Sequence, residues 1–200
     1  YQGADKRQPR EAAARWAKEL APYGITIRVL KYCPQTGACL IYLSRAGWLR
    51  SILSEPSTRA FLAGQGYGAD QSCQELLRQL SRRLCLEREF PHEIGVFLGY
   101  PLEDVVGFIR NRGRNYTCCG YWKAYGDPEA AQKRFDQYRR CTAACCEQVS
   151  FFHPDRPWEL AAQMAKLLQG ENSFLTALRK EETSPPVAES WKKLFHILLR

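Results

Sequence analysis

The segment TIRVLKYCPQTGACLIYL, residues 26–43, decides the fold class of this chain. Residues 26–32 (TIRVLKY) alternate apolar and polar side chains and are rich in strand formers, as is typical of a half-buried β-strand. Residues 39–43 (CLIYL) form a second apolar run, and PQTG at residues 34–37 supplies the proline and glycine of a turn. The sequence therefore predicts an antiparallel hairpin over residues 26–43.

Helical patterns lie on both sides of this hairpin. Ser72 and Glu75 match a capping box, which predicts a helix that begins there. Asp127 followed by Pro128 predicts the start of a longer helix. A short strand near residues 121–125 (YWKAY) is expected to extend the sheet. We therefore predict an α+β fold, a small antiparallel sheet packed with helices at 11–20, 46–53, 57–62, 72–85, 101–113 and 127–147.

Length and composition favour one main domain. The chain has 200 residues, of which 45% are hydrophobic and 25% charged, so it can bury a core, and the disordered and fibrous classes are excluded. The character changes after Ser150, where HPDRP at residues 153–157 resembles a hinge. We expect a domain over residues 1–150 and a helical extension over residues 151–200, with no run of apolar residues long enough to span a membrane.

Charge and cysteine content indicate the compartment and the class of partner. The 29 Lys and Arg residues exceed the 21 Asp and Glu residues by eight, which fits either an anionic partner or simple solubility. The basic residues are dispersed over several predicted helices, so a nucleic-acid-binding module is an alternative rather than the first hypothesis. Nine cysteines, an odd number without an apolar signal segment, predict reduced thiols and a cytoplasmic location.

The PHE turn, Pro91-His92-Glu93, is the most distinctive local motif. Pro91 at a first helical position would place His92 and Glu93 in the first turn of a helix, where the helix dipole favours an ionised carboxylate. In one interpretation the two side chains form a catalytic acid/base or ligand pair. In the other, which is slightly favoured because HE alone falls short of HExxH, Glu93 caps free amides and His92 hydrogen-bonds in the core.

A second group of candidates follows in the segment CCGYWK, residues 118–123. Cys119, with Cys141 on the next helix and His92, supplies side chains that could bind zinc or iron, although CxxC spacing is missing. Either Cys119 or Cys141 could instead act as a thiolate nucleophile with His92 as its base. Candidate ligand-binding residues in and beside this segment are Asn115, Trp122, Lys123 and Tyr125, and Lys123 favours an anion.

The stretch FPHEIGVFLGYPLEDVVGFIRNRGRNYTCCGYWKAYGDPEAAQKRFDQYRRCT, residues 90–142, resembles the signature of a bacterial family of unknown function, DUF3793. Weaker similarity extends the resemblance to about residues 11–146. It implies a cytoplasmic bacterial protein without an established activity. It also implies an N-terminal segment with a histidine and a Pro-Thr-Leu-Ala-Gly-like stretch, which this chain lacks.

These observations lead to three hypotheses about function. The first is an accessory protein that binds a small ligand, a metal or a redox partner between the PHE turn and the CCGYWK strand. The second is a thiol-dependent enzyme that uses Cys119 or Cys141 with His92. The third is a basic nucleic-acid-binding module. None of the three requires a membrane span.

Overall fold

A computed structural model describes the backbone of residues 8–149 and the side chains of residues 10–22, 24–140, 142 and 143. The chain divides into one compact unit up to Gln137 and a second from Tyr138 onward. In chain order the described elements are α1 Gln8–Leu20, a 3-10 turn Ala21–Tyr23, β1 Ile25–Tyr32, β2 Cys39–Arg45, α2 Ala46–Ser54, α3 Pro56–Gly64, α4 Cys73–Leu86, α5 Ile94–Phe97, α6 Leu102–Asn111, β3 Cys118–Cys119, β4 Lys123–Ala124 and α7 Pro128–Val149. The α+β class is confirmed.

The predicted hairpin is formed by β1 and β2, which pair antiparallel. Its turn is closed by the amide of Cys33, which donates to the carbonyl of Ala38, and Gly37 adopts a φ of 70°, which costs glycine little. The register shifts between Val29 and Lys31, so Leu30 lies at a bulge. The Leu30 carbonyl instead accepts a hydrogen bond from the hydroxyl of Ser81 on α4, which ties the hairpin to that helix.

Helix α4 supplies the centre of the main core. Its capping box is present as predicted, because the Ser72 hydroxyl accepts from the Glu75 amide and the Glu75 carboxylate accepts from the Ser72 amide. The buried face of α4 packs in one hydrophobic core with residues of the hairpin and of α2, α3, α5 and α6. Its main members are Leu30, Tyr42, Leu49, Leu53, Leu62, Leu76, Leu77, Leu80, Leu84, Val96, Phe97 and Val105.

The strand predicted at 121–125 belongs to a second sheet and does not extend the hairpin. β4 pairs antiparallel with β3, and these two strands are separated by only three residues. A small second core forms where Trp122 and Ala124 meet Ala131 and Phe135 of α7. The rings of Tyr100 and Trp122 stack with centroids 5.0 Å apart, so the second core adjoins the first.

The predicted extension, residues 151–200, lies outside the described residues. Within the described part of the chain, no helix has both the length and the apolar character that crossing a membrane requires.

Two helical glycines give a matched test of this packing. A Cβ at Gly107 of α6 would overlap the Tyr125 ring where it joins its own Cβ, whereas a Cβ at Gly47 of α2 would meet nothing within 4 Å. We expect Gly107→Ala to lower the free energy of unfolding by about 1–3 kcal/mol, because the clash exceeds the gain in helix propensity. Gly47→Ala should raise it by about 0.5–1 kcal/mol. Urea unfolding of both variants measures the difference, and an equal effect of the two would contradict the described approach of α6 to Tyr125.

Candidate functional site

The PHE turn lies immediately before α5, and its two polar side chains point apart. The amides of Ile94, Gly95 and Val96 donate to the carbonyls of Pro91, His92 and Glu93, so the turn is helical although α5 itself begins at Ile94. His92 is exposed, whereas Glu93 is only 2% exposed. Adjacent helical positions differ by about 100° in direction, which explains the divergence.

Glu93 forms a buried ion pair. Its Oε1 lies 2.8 Å from a terminal guanidinium nitrogen of Arg83 and accepts a hydrogen bond of 2.9 Å from the hydroxyl of Tyr67. The carboxylate makes no capping hydrogen bond to α5, so amide capping does not describe its role. A buried carboxylate is tolerated when it is paired and hydrogen-bonded, and both conditions hold here.

Arg83 joins this pair to two further parts of the chain. Its guanidinium donates to the carbonyl of Gln65 at 2.8 Å and pairs with Glu87 at 2.8 Å, and it lies 5.3 Å from the centre of the Tyr67 ring. Burial, together with the negative charge of Glu93, raises the pKa of the Tyr67 hydroxyl well above its usual value of 10.0. The α3–α4 loop, α4 and the PHE turn are therefore held together by one charged cluster.

His92 lies among aromatic rings on the surface rather than in the core. Its ring centroid is 4.9 Å from that of Phe108 on α6 and 5.7 Å from that of Phe90. The expectation that His92 hydrogen-bonds in the core does not match its exposed position. The Phe108 ring also lies near Lys123, a second candidate residue. It therefore connects the PHE turn with the CCGYWK segment.

Lys123 is that second residue. Its Nζ donates to the carbonyl of Gly113 at 2.8 Å and lies 6.0 Å from the Phe108 ring centroid and 5.2 Å from that of Tyr116. Both distances are within the range in which an ammonium group is attracted to an aromatic face. We call the resulting surface the Phe108 face, defined by Phe90, His92, Phe108, Tyr116 and Lys123.

The buried carboxylate of Asp104 fixes the strand that carries Lys123. It accepts hydrogen bonds of 2.7 Å from the indole nitrogen of Trp122 and 2.7 Å from the amide of Tyr125, and a third of 3.3 Å from the amide of Gly126. Trp122 is therefore buried and hydrogen-bonded within the fold, and its role in ligand binding stays a prediction. Asp104 lies in the first turn of α6, where the helix dipole favours an acid, and this position gives no indication of its partners.

The other two ligand-binding candidates lie near Lys123 in the sequence. The ring of Tyr125 packs on Gly107, and burial, with smaller contributions from Tyr116 and Asp104, raises the pKa of the Tyr125 hydroxyl. Asn115 is exposed and has a φ of 57°, a left-handed conformation that asparagine adopts more readily than most residues.

Cys119, the cysteine candidate whose side chain the structure describes, is not joined to His92. Cys119 is exposed, and no hydrogen bond connects its thiol with the His92 ring. Cys141 lies in α7 within the second unit, and its side chain is outside the described residues. Among the described side chains no three His, Cys, Asp or Glu residues lie close enough together to hold a metal ion. The zinc or iron site and the thiol enzyme stay predictions.

The comparison with protein families agrees with the resemblance seen in the sequence. Residues 4–153 of the 200-residue chain match the model of a protein of unknown function, DUF3793. The chain belongs to this DUF3793 family. No curated protein and no solved structure matches the chain.

Three residues that organise this DUF3793 protein around the PHE turn were not singled out from the sequence. Tyr67 lies between Gly66 and Gly68, and a single aromatic residue in a glycine-rich loop was the available signal. Arg83 is one of four arginines in or just beyond α4, and its local sequence gives no sign of a buried partner. Phe108 lies on α6, and nothing in its local sequence indicates that it reaches both His92 and Lys123.

The Arg83–Glu93 pair predicts unequal effects at two neighbouring arginines. Arg83→Gln leaves the Glu93 carboxylate buried without its cation, so we expect a loss of about 3 kcal/mol in the free energy of unfolding. Arg82→Gln, at the exposed neighbouring position, should change it by less than about 0.5 kcal/mol. The double variant with Glu93→Gln should recover part of the loss, because it also removes the unpaired charge. Equal midpoints for the two single variants in urea unfolding would show that the pair is not buried.

Stability is also expected to fall in alkaline solution. Burial raises the pKa of Tyr42 to about 12 and raises that of Tyr67 further, whereas both ionise near 10 in the unfolded chain. Because the folded state retains these protons longer, their stabilising effect is complete below about pH 10 and is lost as the pH rises toward about 12. Denaturant midpoints measured across this range should decline, and the decline should be shallower in Tyr67→Phe. A slope unchanged in Tyr67→Phe would contradict the burial of this hydroxyl.

Proposed function

We propose that this protein binds an anionic ligand with a planar ring at the Phe108 face. The observation that carries the proposal is that His92 and Lys123 contact the same ring, Phe108, although they come from separate segments of the chain. Exposed aromatic rings offer stacking surfaces to a planar group, and the adjacent ammonium group attracts negative charge. This combination supports the ligand-binding hypothesis over the other two.

The charge around the face supports an anion. Arg110, Arg112 and Arg114 lie at the end of α6 and in the turn that follows, and all three are exposed. No ion pair within the described part of the chain neutralises them. Lys123 itself donates to a neutral carbonyl, so its positive charge is not cancelled by a carboxylate partner. The local potential is therefore positive.

The backbone beside Lys123 supports a functional role for this turn. Arg112 and Asn115 have φ values of 50° and 57°, and Gly113 between them has 71°. A left-handed arginine carries a conformational cost, and such residues cluster at ligand-binding sites. The Gly113 carbonyl is the acceptor of the Lys123 ammonium, so the same turn that holds this strain positions the cation.

A cytoplasmic location accompanies the proposal. Six cysteines have described side chains, at positions 33, 39, 73, 85, 118 and 119, and all six are free thiols. Free thiols in this number are typical of a reducing compartment. The bacterial origin, the metal or redox partner and the nucleic-acid alternative remain predictions from the sequence.

The proposal is tested with three probes that separate charge from ring stacking. ATP carries both features, tripolyphosphate carries only the charge and adenosine carries only the ring. We expect ATP to bind more tightly than either of the others in isothermal titration calorimetry. Lys123→Gln should weaken ATP binding about fivefold, equivalent to about 1 kcal/mol, because it removes the charge contact of a half-buried ammonium group.

Lys133→Gln is the matched control, since Lys133 is an exposed lysine on α7 that contributes nothing to the Phe108 face. Its ATP affinity should equal that of the unmodified chain. Equal weakening in both variants would indicate attraction to net charge only, and absence of ATP binding would overturn the proposed ligand class. Phe108→Leu should reduce the advantage of ATP over tripolyphosphate, provided that its unfolding midpoint is retained.

A further inference from the structure

A separate cleft lies between α1, β1 and α4. It has a volume of about 570 Å³, within the range of about 300–1,000 Å³ that small-molecule sites occupy. One wall is formed by α1, with Ala13, Ala14 and Ala17, and the floor by β1, with Val29. None of the residues of the Phe108 face lines it.

The cleft exists because α1 presents small side chains to the sheet. Arg10, Ala13, Ala14 and Ala17 follow the spacing i, i+3, i+4, i+7 and therefore share one face of the helix. Leucine is the common choice at such positions, and three alanines leave the space that leucine side chains would fill. The three alanines span about 6 Å of helix length, and Arg10 extends the same face by about 4.5 Å at its N-terminal end.

Both basic residues of the cleft lie at the same end. The Arg10 guanidinium is 4.3 Å from the centre of the Tyr32 ring, so the start of α1 lies beside the end of β1. Lys31 precedes Tyr32 on that strand and also lines the cleft. Arg10 and Lys31 are exposed, whereas Ala17 and Ile27 line the opposite end. The cleft is therefore apolar along its length and cationic at one end.

The floor of the cleft is held in place by α4. The bulged residue Leu30 directs its carbonyl to the Ser81 hydroxyl and to the Cys85 thiol, which lies 3.8 Å away. Both side chains also line the cleft. These two contacts satisfy the Leu30 carbonyl, which the bulge frees from the strand pairing. This oxygen therefore needs no hydrogen-bond donor from a ligand. Among the described residues that line the cleft there is no acidic side chain beside Arg10 and Lys31.

We propose that this cleft binds a single-chain amphiphile with a carboxylate head, such as a medium-chain fatty acid. The hydrocarbon chain lies along Ala13, Ala17 and Val29, and the carboxylate lies between Arg10 and Lys31. Burial of the hydrocarbon chain supplies the affinity, because apolar surface is removed from water. The two cations supply the preference for an anionic head over a neutral one.

The test compares decanoate, below its micelle concentration, with decanol, which has the same chain and no charge. Binding is measured by displacement of a fluorescent fatty-acid analogue from the full chain. We expect decanoate to displace the analogue more strongly than decanol. Arg10→Gln should weaken decanoate roughly fivefold and leave decanol unchanged. Lys18→Gln, an exposed charge on α1 outside the cleft lining, should leave both unchanged.

A second variant tests the apolar part. Ala14 is an exposed residue of the stripe, so Ala14→Leu should fold normally and fill the cleft, which weakens both probes. Amide chemical shifts should respond to decanoate along α1 and β1. Three results would overturn the proposal: no displacement, equal sensitivity of decanoate to Arg10→Gln and Lys18→Gln, or shift changes confined to the exposed apolar residues Leu43 and Trp48.

Discussion

The carboxylate of Asp104 holds the candidate site together. It is buried in α6. It accepts hydrogen bonds from the indole N–H of Trp122 and from the two backbone amides that follow β4. Three N–H donors converge on the two carboxylate oxygens of Asp104. Hydrogen bonds from the protein thus replace the water that burial excludes from this charge. A two-stranded sheet of two residues per strand has little stability of its own. Asp104 therefore determines where β4 lies, and with it the position of Lys123 beside Phe108.

A second buried carboxylate plays a comparable part on the other side of the face. Glu93 is anchored by Arg83 and Tyr67, which come from α4 and from the loop before it. With Glu93 drawn inward, the preceding residue of the helical turn is directed outward, and His92 reaches Phe108. The positions of His92, which is exposed, and Lys123, which is half-buried, thus depend on two inward-facing acids that take no direct part in the face. Removal of either acid would be expected to displace a surface residue that it does not contact.

The sequence predicted the elements that depend on local signals. The hairpin followed from strand alternation and a proline–glycine turn, and α4 followed from Ser72 and Glu75, because these signals involve residues only a few positions apart. The sheet to which residues 121–125 belong could not be predicted from local signals. Which strand they pair with depends on tertiary contacts such as that between Trp122 and Asp104, which are 18 residues apart. Local alternation carries no information about such a partner.

The sequence drew attention to individual residues of the candidate site, but it did not predict how they are arranged. His92, Glu93 and Lys123 were singled out from the sequence, because polar residues in apolar or aromatic surroundings need a partner or a function, and their roles stay predictions. Their grouping was not predictable: adjacency of His92 and Glu93 in the sequence suggested a pair, whereas the fold separates them. Arg83 was equally hidden, since it differs from Arg82 only in the face of α4 on which it lies.

This separation bears on the choice between binding and acid/base chemistry at the PHE turn. An acid/base pair requires two titratable groups that reach the same reacting atoms. Glu93 is fully engaged by Arg83 and Tyr67 below the surface, and His92 is surrounded by aromatic rings above it. The groups that His92 does share a surface with are Phe108 and Lys123, one apolar and planar, the other cationic. Under the proposed function these surroundings hold a planar anion, with the imidazole as a contact residue rather than half of a proton-transfer pair.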